Sequence, residues 1–305
     1  MQQVMALSDV VSRVAREMQC HIQKYEELAQ GRSGAWKMIC RAEGGKTYFV
    51  KFVSPEASFA RQWSLMTREA TVLQQLPANS ALPRLIVVVN ELDLIAVVTE
   101  YVGDSHVQVW DPNRAHAAFL TTTKLYRELA GVTVSARRIE SKPTRFRAFS
   151  VPDNWTRIEH MSSTNKTWIE SHRGELAQIE ERARQLVRSD SVIHCDLAVD
   201  NFVFNADGNG CYLVDWSHAH LGQPAYDIAC MLVRVRADSA WSPELGRSLQ
   251  DLNYLAEVPW NDMLVLAAAN FIQRSEGEAD NPLPELSHER LRYANAAIDW
   301  LREVL

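Results

Sequence analysis

Three oxygen-bearing side chains lie close together in the second half of the sequence. Asp196 precedes Asn201 by five residues, and Asp215 follows Asn201 by 14 residues. Apolar runs that favour β-strands border these positions at residues 192–193, 202–204 and 212–214. We therefore expect the three polar groups at the ends of short strands that a core holds together. The alternative that the pattern leaves open is a pair of ordinary hairpins with polar turns.

This spacing suits the transfer of a phosphoryl group to a hydroxyl. Residues 194–201 match the pattern H-x-D-L-x-x-x-N, which is typical of kinase catalytic loops. That chemistry requires a carboxylate that orients the attacking hydroxyl and accepts its proton, and oxygen ligands that hold Mg²⁺ on the nucleotide phosphates. Asp196 is the candidate catalytic base, and Asn201 and Asp215 are the candidate Mg²⁺ ligands.

Two charged residues in the first half of the chain could support the same chemistry. Lys51 interrupts the apolar run at residues 48–52, so its ammonium group either reaches solvent or binds nucleotide phosphates. Glu69 lies in the following amphipathic segment and could pair with Lys51. The alternative for Glu69 is a solvated helix surface.

Two short segments are candidates for contacts with a nucleotide. Gly31, Ser33 and Gly34 belong to a glycine-containing turn whose backbone N–H groups could approach phosphate oxygens, although the third glycine of G-x-G-x-x-G is absent. Glu100 and Val102 follow a β-prone run and could form a hinge whose backbone hydrogen-bonds to adenine. The alternative for the hinge segment is an ordinary exit from a strand.

The periodicity of apolar residues predicts a strand-rich part followed by a helical part. We expect a helix from Ser8 to about Ala29, strands at 36–41, 47–53, 84–89 and 94–99, and a helix at 59–76. Helices are expected at 114–130, 165–188, 224–238, 261–275 and 285–304. The fold class is therefore α+β: a small β-sheet lobe at residues 1–103, and a larger, mainly helical lobe at 104–305 that carries the catalytic loop and the acceptor site.

The composition of the chain indicates which kinds of binding partner and which cellular location to expect. The 305 residues carry a net charge of −6 and no basic run with interleaved aromatic residues, so nucleic acid is not expected as a partner. Five scattered cysteines without C-x-x-C spacing predict reduced thiols in the cytoplasm. No uncharged apolar stretch approaches the roughly 20 residues of a membrane span, and no membrane partner is expected. The sequence leaves a monomer and a homodimer both open.

Taken together, these motifs resemble the aminoglycoside phosphotransferase and choline kinase superfamily, small-molecule relatives of the protein kinases. Residues 222–229 fit the signature G-x-P-x-x-D-[IL]-A of that superfamily, and V-D-W at 214–216 stands where protein kinases have D-F-G. The resemblance runs from about Gly31 to Met231. It implies a bilobal, protein-kinase-like fold that binds a nucleotide between its lobes. Cys195 replaces the usual glycine of the motif, and Ala198 stands where many members have a histidine.

The resemblance also implies roles for further residues. Lys51 would bind the nucleotide phosphates, and His194 and Asp227 would support the catalytic loop structurally. The implied co-substrate is ATP or GTP with Mg²⁺, and the implied activity is phosphorylation of a hydroxyl on a small polar acceptor. An aminoglycoside-type or other antibiotic acceptor, with a role in antibiotic resistance, is the first expectation. A sugar, a choline-like amino alcohol or a homoserine-like metabolite is the second, and an inactive nucleotide-binding regulator is the third.

The acceptor is expected to bind the helical lobe beside the catalytic loop. Acidic side chains of that lobe could receive the ammonium groups of an aminoglycoside, and arginines interspersed among them would oppose this. Trp155 or Trp241 could stack on a sugar or a cation. The acidic candidates are Asp153, Asp238 and Glu276, and the arginines are Arg234, Arg236 and Arg274.

Overall fold

The sheet of the first half and the helices of the second half are seen in a computed structural model. It describes residues 6–28, 34–54, 59–103, 108–132, 154–187, 191–205, 210–250, 258–275 and 284–305. The predicted α+β, protein-kinase-like fold is confirmed: a five-stranded antiparallel sheet precedes a larger helical part. The lobe boundary near residue 103 stays a prediction.

The first part is a single sheet with the strand order β1-β2-β3-β5-β4. All neighbouring strands are antiparallel. Helix α1 precedes the sheet and α2 follows β3. The bounds are α1 Leu7–Met18, β1 Ile22–Leu28, β2 Trp36–Ala42, β3 Thr47–Val53, α2 Phe59–Gln75, β4 Leu85–Glu91 and β5 Leu94–Glu100.

The alternation of side chains along β3 separates the two faces of this sheet. Val50 packs with Val10 and Val14 of α1 in one apolar cluster. Val53 packs with Met66 and Ala70 of α2 in another cluster. Residues one position apart in a strand point to opposite faces, so a side chain at an odd-numbered position of β3 is directed towards α2.

The second part contains six helices and four short strands among the described residues. The long helix α7 is almost entirely buried from Asp262 to Ile272 and packs against α4, α5 and α8. The bounds are α3 Pro112–Glu128, α4 Ser163–Leu186, β6 Val192–Ile193, β7 Phe202–Phe204, β8 Cys211–Leu213, β9 His220–Leu221, α5 Pro224–Ala237, α6 Pro243–Gln250, α7 Trp260–Ser275 and α8 Pro284–Val304.

The predicted N-terminal helix was wrong in its second half. Helix α1 ends at Met18 because Gln19 adopts a left-handed conformation with a φ of 51° and caps the helix. The chain continues as β1, which pairs with β2. Five successive residues of this edge strand are exposed, so the strand lacks an alternation of apolar and polar residues. Ile22 and Tyr25 are spaced as on one face of a helix, and this spacing led to the wrong prediction.

The helix α6 was not predicted, since its eight residues are too few for a clear periodic pattern. None of the described helices combines the length and the apolar character that crossing a membrane demands.

Candidate active site

Lys51 connects the sheet to the catalytic segment. It lies on the face of β3 that is directed towards α2, and its side chain is almost fully buried. Its Nζ donates hydrogen bonds to Glu69 Oε2 at 2.8 Å and to Asp215 Oδ1 at 2.7 Å. Burial lowers the pKa of Lys51, but Asp215 and Glu69 raise it by more, so the ammonium group keeps its charge. The predicted pair of Lys51 and Glu69 is therefore present.

Asp215 is held as an ionised carboxylate. The residue takes a left-handed conformation with a φ of 62° at the end of the short loop after β8. Its Oδ1 accepts hydrogen bonds from Lys51 and, at 2.6 Å, from the Ser217 hydroxyl. Burial raises the pKa of Asp215, but Lys51 and Ser217 lower it far below the usual range of an aspartate. An anionic oxygen ligand is therefore present at physiological pH.

The loop that carries Asp196 is closed on itself by Asn201. The Asn201 Nδ2 donates to the backbone oxygen of Asp196 at 2.8 Å. The backbone N–H of Val214 donates to the backbone oxygen of Asn201 at 2.9 Å. These bonds fix the distance between the loop and the segment of Asp215. The Asp196 side chain is 32% exposed, so an acceptor molecule can reach its carboxylate.

A buried network supports this loop from behind. Asp227, in the first turn of α5, accepts hydrogen bonds from the backbone N–H groups of His194 and Cys195 at 2.9 and 3.0 Å. The Tyr126 hydroxyl also donates to the Asp227 carboxylate. His194 Nε2 donates to the backbone oxygen of Val214 at 2.9 Å. Asp227 therefore contacts the backbone of the loop, and His194, which belongs to the loop, connects it to the segment before Asp215.

A cavity of about 310 Å³ lies between the sheet and the catalytic segment. Residues of the predicted hinge and both predicted Mg²⁺ ligands line this cavity. Its lining includes Lys51, Glu69, Glu100, Val102, Asn201 and Asp215. Gly34 is described, with a φ of 69°, but it is not among the lining residues, and Gly31 and Ser33 lie outside the described residues.

The similarity to phosphotransferases extends beyond the short motifs to most of the chain. The model of the phosphotransferase enzyme family matches residues 24–258, well over half of the chain. The chain belongs to that family. As the resemblance implied, the protein is a phosphotransferase. No curated protein sequence matches the phosphotransferase.

Solved structures of small-molecule kinases share the fold of the phosphotransferase. An amicoumacin kinase in complex with AMP-PNP and Ca²⁺ has a TM-score of 0.56 and 14% identity, over 99% of this chain and 98% of that chain. A spectinomycin phosphotransferase in complex with ADP has a TM-score of 0.58 and 12% identity, over 99% and 100%. An ethanolamine kinase of Plasmodium vivax has a TM-score of 0.54 and 11% identity, over 92% and 84%. At such low identities the likeness establishes the fold alone.

Cys195 of the phosphotransferase occupies a position that suits glycine. Its φ of 63° is left-handed, a conformation that costs a side chain about 1–2 kcal/mol and costs glycine nothing. Burial and the neighbouring Asp227 raise the pKa of the Cys195 thiol well above the ordinary value. The thiol is therefore protonated and is not a candidate nucleophile.

Sequence reasoning missed Tyr126 and Ser217, and it considered Arg234 only as one of the arginines that would oppose binding of an aminoglycoside. Tyr126 lies inside α3, and no sequence motif marks it. Arg234 makes an ion pair with Asp196, with 3.1 Å between Arg234 Nη2 and Asp196 Oδ1. The signal for Arg234 was present in the sequence: it is a charged residue in the apolar run of α5, which is buried from Ala225 to Val235.

The donor set at the cavity fits a divalent cation that is bound to a nucleotide. Mg²⁺ prefers oxygen ligands and takes only one or two carboxylates from the protein, because phosphate oxygens and waters fill its other positions. Asp215 and Asn201 offer one carboxylate and one carboxamide. Among the described residues, no group of three or more His, Cys, Asp or Glu side chains is arranged so that it could hold a metal ion by itself.

Removal of the Asp227 carboxylate is expected to destabilise the phosphotransferase. Asp227→Ala would remove the buried acceptor of the Cys195 N–H and of the Tyr126 hydroxyl, and it would leave the His194 N–H with the Tyr126 oxygen at 3.0 Å as its acceptor. The loss should lower the free energy of unfolding by about 3 kcal/mol or more. Tyr126→Phe removes one donor to Asp227 and one of the two acceptors of the His194 backbone N–H, while Asp227 stays in place, and it should cost about 1 kcal/mol. Urea unfolding followed by tryptophan fluorescence measures both. Equal losses in the two variants would contradict this account of the network.

Proposed function

We propose that the protein transfers the γ-phosphoryl group of ATP or GTP to a hydroxyl of a small polar acceptor. The observation that carries the proposal is the contact of the Lys51 ammonium group with both Glu69 and Asp215 at the wall of the cavity. Such a lysine provides a fixed positive charge for nucleotide phosphates. The intact set of Lys51, Asn201, Asp215 and Asp196 argues against the third expectation, an inactive nucleotide-binding regulator.

In the proposed mechanism, residues of the protein position the reacting groups and stabilise the negative charge of the phosphates. Asp196 accepts the proton of the acceptor hydroxyl while the hydroxyl oxygen forms a bond to the γ-phosphorus and the bond to the β–γ bridging oxygen breaks. Lys51 holds the α- and β-phosphates, and the nucleoside diphosphate leaves with the bridging oxygen. A magnesium ion held by Asp215 and Asn201 supplies charge neutralisation on the phosphates when it is bound.

The proposed nucleotide orientation follows from the cavity. Glu100 and Val102 line the cavity at the end of β5, where backbone groups of this segment can hydrogen-bond to a purine. Val97 and Leu73 add apolar surface for the base. In this proposal the sheet and the segment up to about residue 103 form the nucleotide-binding lobe, and residues 104–305 form the lobe that binds the acceptor.

The proposed acceptor classes are those that the resemblance implied. An aminoglycoside-type or other antibiotic comes first, with a role in antibiotic resistance. A sugar, a choline-like amino alcohol or a homoserine-like metabolite comes second.

All described cysteines are unpaired, which supports the proposal of a cytoplasmic location.

Two measurements test the proposal in sequence. Mg²⁺ together with ATP or GTP should raise the melting temperature of the protein, and ATP without a divalent cation should raise it much less. Release of ADP or GDP should then depend on one acceptor in a panel of aminoglycosides, macrolides, choline, homoserine and sugars. The proposal fails if Mg²⁺ and nucleotide have no effect on the melting temperature, or if Asp215→Asn binds Mg²⁺-nucleotide as well as the wild type.

A further inference from the structure

Lys37 of β2 lies on the same face of the sheet as Lys51. The two residues are directly opposite each other in the pairing of β2 with β3, and such partners share a face, with about 4.5–5.5 Å between their Cα atoms. Trp36 and Met38, the neighbours of Lys37 in β2, pack in the cluster with α1 on the opposite face. Lys37 is half-buried and lines the cavity of about 310 Å³ together with Lys51. A second ammonium group is therefore present at the wall of this cavity.

The two lysines differ in their partners. Lys51 is 4% exposed and donates hydrogen bonds to the carboxylates of Glu69 and Asp215. Lys37 makes no hydrogen bond or ion pair with any residue that the structure describes. Like charges that are directly opposite in a sheet destabilise it unless anions balance them. Glu69 and Asp215 balance Lys51, so the charge of Lys37 is the one that remains available to an anionic ligand.

Lys37 also occupies a position at which nucleotide-binding loops have glycine. In the pattern G-x-G-x-x-G-x-V, the third glycine follows the second by three residues, and the valine follows two residues later. Counted from Gly34, these two positions are Lys37 and Ile39. Gly34 itself has a left-handed φ of 69°. In such loops glycine lets backbone N–H groups approach phosphate oxygens closely. Here a charged side chain that is directed into the cavity takes the place of the third glycine.

Residues of the helical part that were predicted to meet an acceptor are engaged within the protein. Asp238 is 3% exposed and is paired with Arg292. Trp155 is 2% exposed, and Trp241 packs against the guanidinium group of Arg236. The lysine of β2 differs from these residues because it lines a cavity and keeps its charged group unpaired among the described residues.

We propose that Lys37 binds the phosphate chain of the nucleotide, so that two lysines from adjacent strands hold this chain. The proposal rests on the proposed phosphotransfer and adds a binding residue to its nucleotide site. A nucleoside triphosphate is still anionic after it has bound Mg²⁺, and Lys51 is shared by two carboxylates. The ammonium group of Lys37 then supplies a charge-assisted hydrogen bond to a phosphate oxygen. The side chain replaces the backbone N–H contacts that a glycine would permit.

A role limited to the protein itself is the alternative. Burial raises the pKa of Glu69, and the positive charges of Lys51 and, to a smaller extent, Lys37 lower it. If Lys37 served only to stabilise the Glu69 carboxylate, its removal would lower the melting temperature without ligand. It would then weaken the binding of a nucleotide and of a nucleoside by the same factor. The comparison of these two ligands therefore separates the two roles.

The test measures affinity for ligands with and without phosphates. The probes are Mg²⁺ with a non-hydrolysable analogue of ATP or GTP, whichever raises the melting temperature of the wild type more, and the matching nucleoside. Displacement of a fluorescent nucleotide gives both affinities at constant ionic strength. Lys37→Met should weaken binding of the analogue about tenfold, since one charge-assisted hydrogen bond is lost. Its affinity for the nucleoside should stay within about twofold of the wild type, because the nucleoside has no group that Lys37 contacts.

Three further variants identify the ammonium group as the cause. Lys37→Arg should recover part of the affinity, since it keeps the positive charge. Lys37→Gly restores the glycine of the pattern and should lose as much affinity as Lys37→Met. Lys24→Met is the matched control and should bind like the wild type. Lys24 is an exposed lysine of β1 opposite Arg41, hence on the same face of the sheet, but it does not line the cavity. Melting temperatures without ligand verify that each variant is folded.

Four results would overturn the inference and leave the proposed function intact. They are an unchanged affinity of Lys37→Met for the analogue, an equal loss for the nucleoside, no recovery in Lys37→Arg, and wild-type affinity in Lys37→Gly. The last result would show that the backbone at this position, and not the side chain, matters for the phosphates. By contrast, a wild type that binds no Mg²⁺-nucleotide would remove the proposed function itself, so the two failures are distinguishable.

Discussion

Asp196→Asn is expected to reduce kcat by about 10²–10⁴-fold, the range of a lost general base. The amide keeps the shape of the side chain and can still accept a hydrogen bond from Arg234, but it cannot take a proton from the acceptor. Nucleotide affinity should stay within about threefold of the wild type, because Asp196 contacts the acceptor side of the site. Single-turnover assays measure the rate, and equilibrium titration with the nucleotide measures the affinity.

The asparagine variant is more informative than the alanine variant. Asp196→Ala would leave the buried Arg234 guanidinium without its carboxylate, and an unpaired buried charge is strongly destabilising. Loss of activity in the alanine variant would therefore mix chemistry with folding. Asp299→Asn, an exposed change on α8, is the control for loss of a negative charge. Turnover of Asp196→Asn above about one tenth of the wild-type rate would contradict the role of Asp196 as base.

The pH dependence of the wild type follows from the charges near Asp196. Burial opposes ionisation, but Arg234, His218 and Arg274 lower the pKa of Asp196 below its ordinary value. A base is active above its pKa, so the acid limb of kcat should lie below the ordinary pKa of an aspartate. Arg234→Gln should move this limb to higher pH. A purely structural role of Arg234 would lower the rate without moving the limb.

Lys51→Met should lower kcat/KM for the nucleotide by about 10²–10³-fold, the cost of one lost electrostatic contact in a preorganised site. The Lys51 ammonium group is the shared partner of Glu69 and Asp215. Without it, the two carboxylates face each other with no cation between them, and the nucleotide phosphates meet repulsion in place of attraction. Initial rates at varied nucleotide concentration and titration with an ATP analogue measure the loss.

A second variant of Lys51 separates the effect of charge from the effect of position, and a variant of another lysine is the control. Lys51→Arg keeps the charge in a wider group and should recover part of the activity. Lys46→Met changes an exposed lysine between β2 and β3 and should behave as the wild type. An equal loss in Lys51→Arg and Lys51→Met would show that the position of the ammonium group matters more than its charge. Wild-type kinetics in Lys51→Met would refute the phosphate-binding role.

The variants Asp196→Asn and Lys51→Met should also differ in the step that they impair. Asp196→Asn retains nucleotide binding and loses the chemical step, whereas Lys51→Met loses both. Melting temperatures in the presence of Mg²⁺ and the ATP analogue distinguish these cases, since a ligand stabilises only a protein that binds it. We expect a ligand-dependent rise in melting temperature for Asp196→Asn that is close to the wild-type rise, and a much smaller one for Lys51→Met.

The sequence alone determined the chemistry-bearing groups of the catalytic segment. Asp196, Asn201 and Asp215 lie within 20 residues and are bordered by short apolar runs, so local structure brings them near one another. The sequence also offered Glu69 as a possible partner of Lys51, with a solvated helix surface as the alternative, and the two residues, which are 18 apart, are in contact. Such contacts between successive elements can be deduced because the faces of a strand and a helix follow from their periods.

Only the tertiary structure decided which distant residues complete the site. Lys51 and Asp215 are 164 residues apart, Tyr126 and Asp227 are 101 apart, and Arg234 and Asp196 are 38 apart. Periodicity says which side of α3 or α5 is buried, but it does not say what that side meets. The same is true of β1, whose hydrogen bonds to β2 overrode a helical pattern. These contacts depend on how helices and strands pack in three dimensions, and the charge around Asp196 is a consequence of that packing.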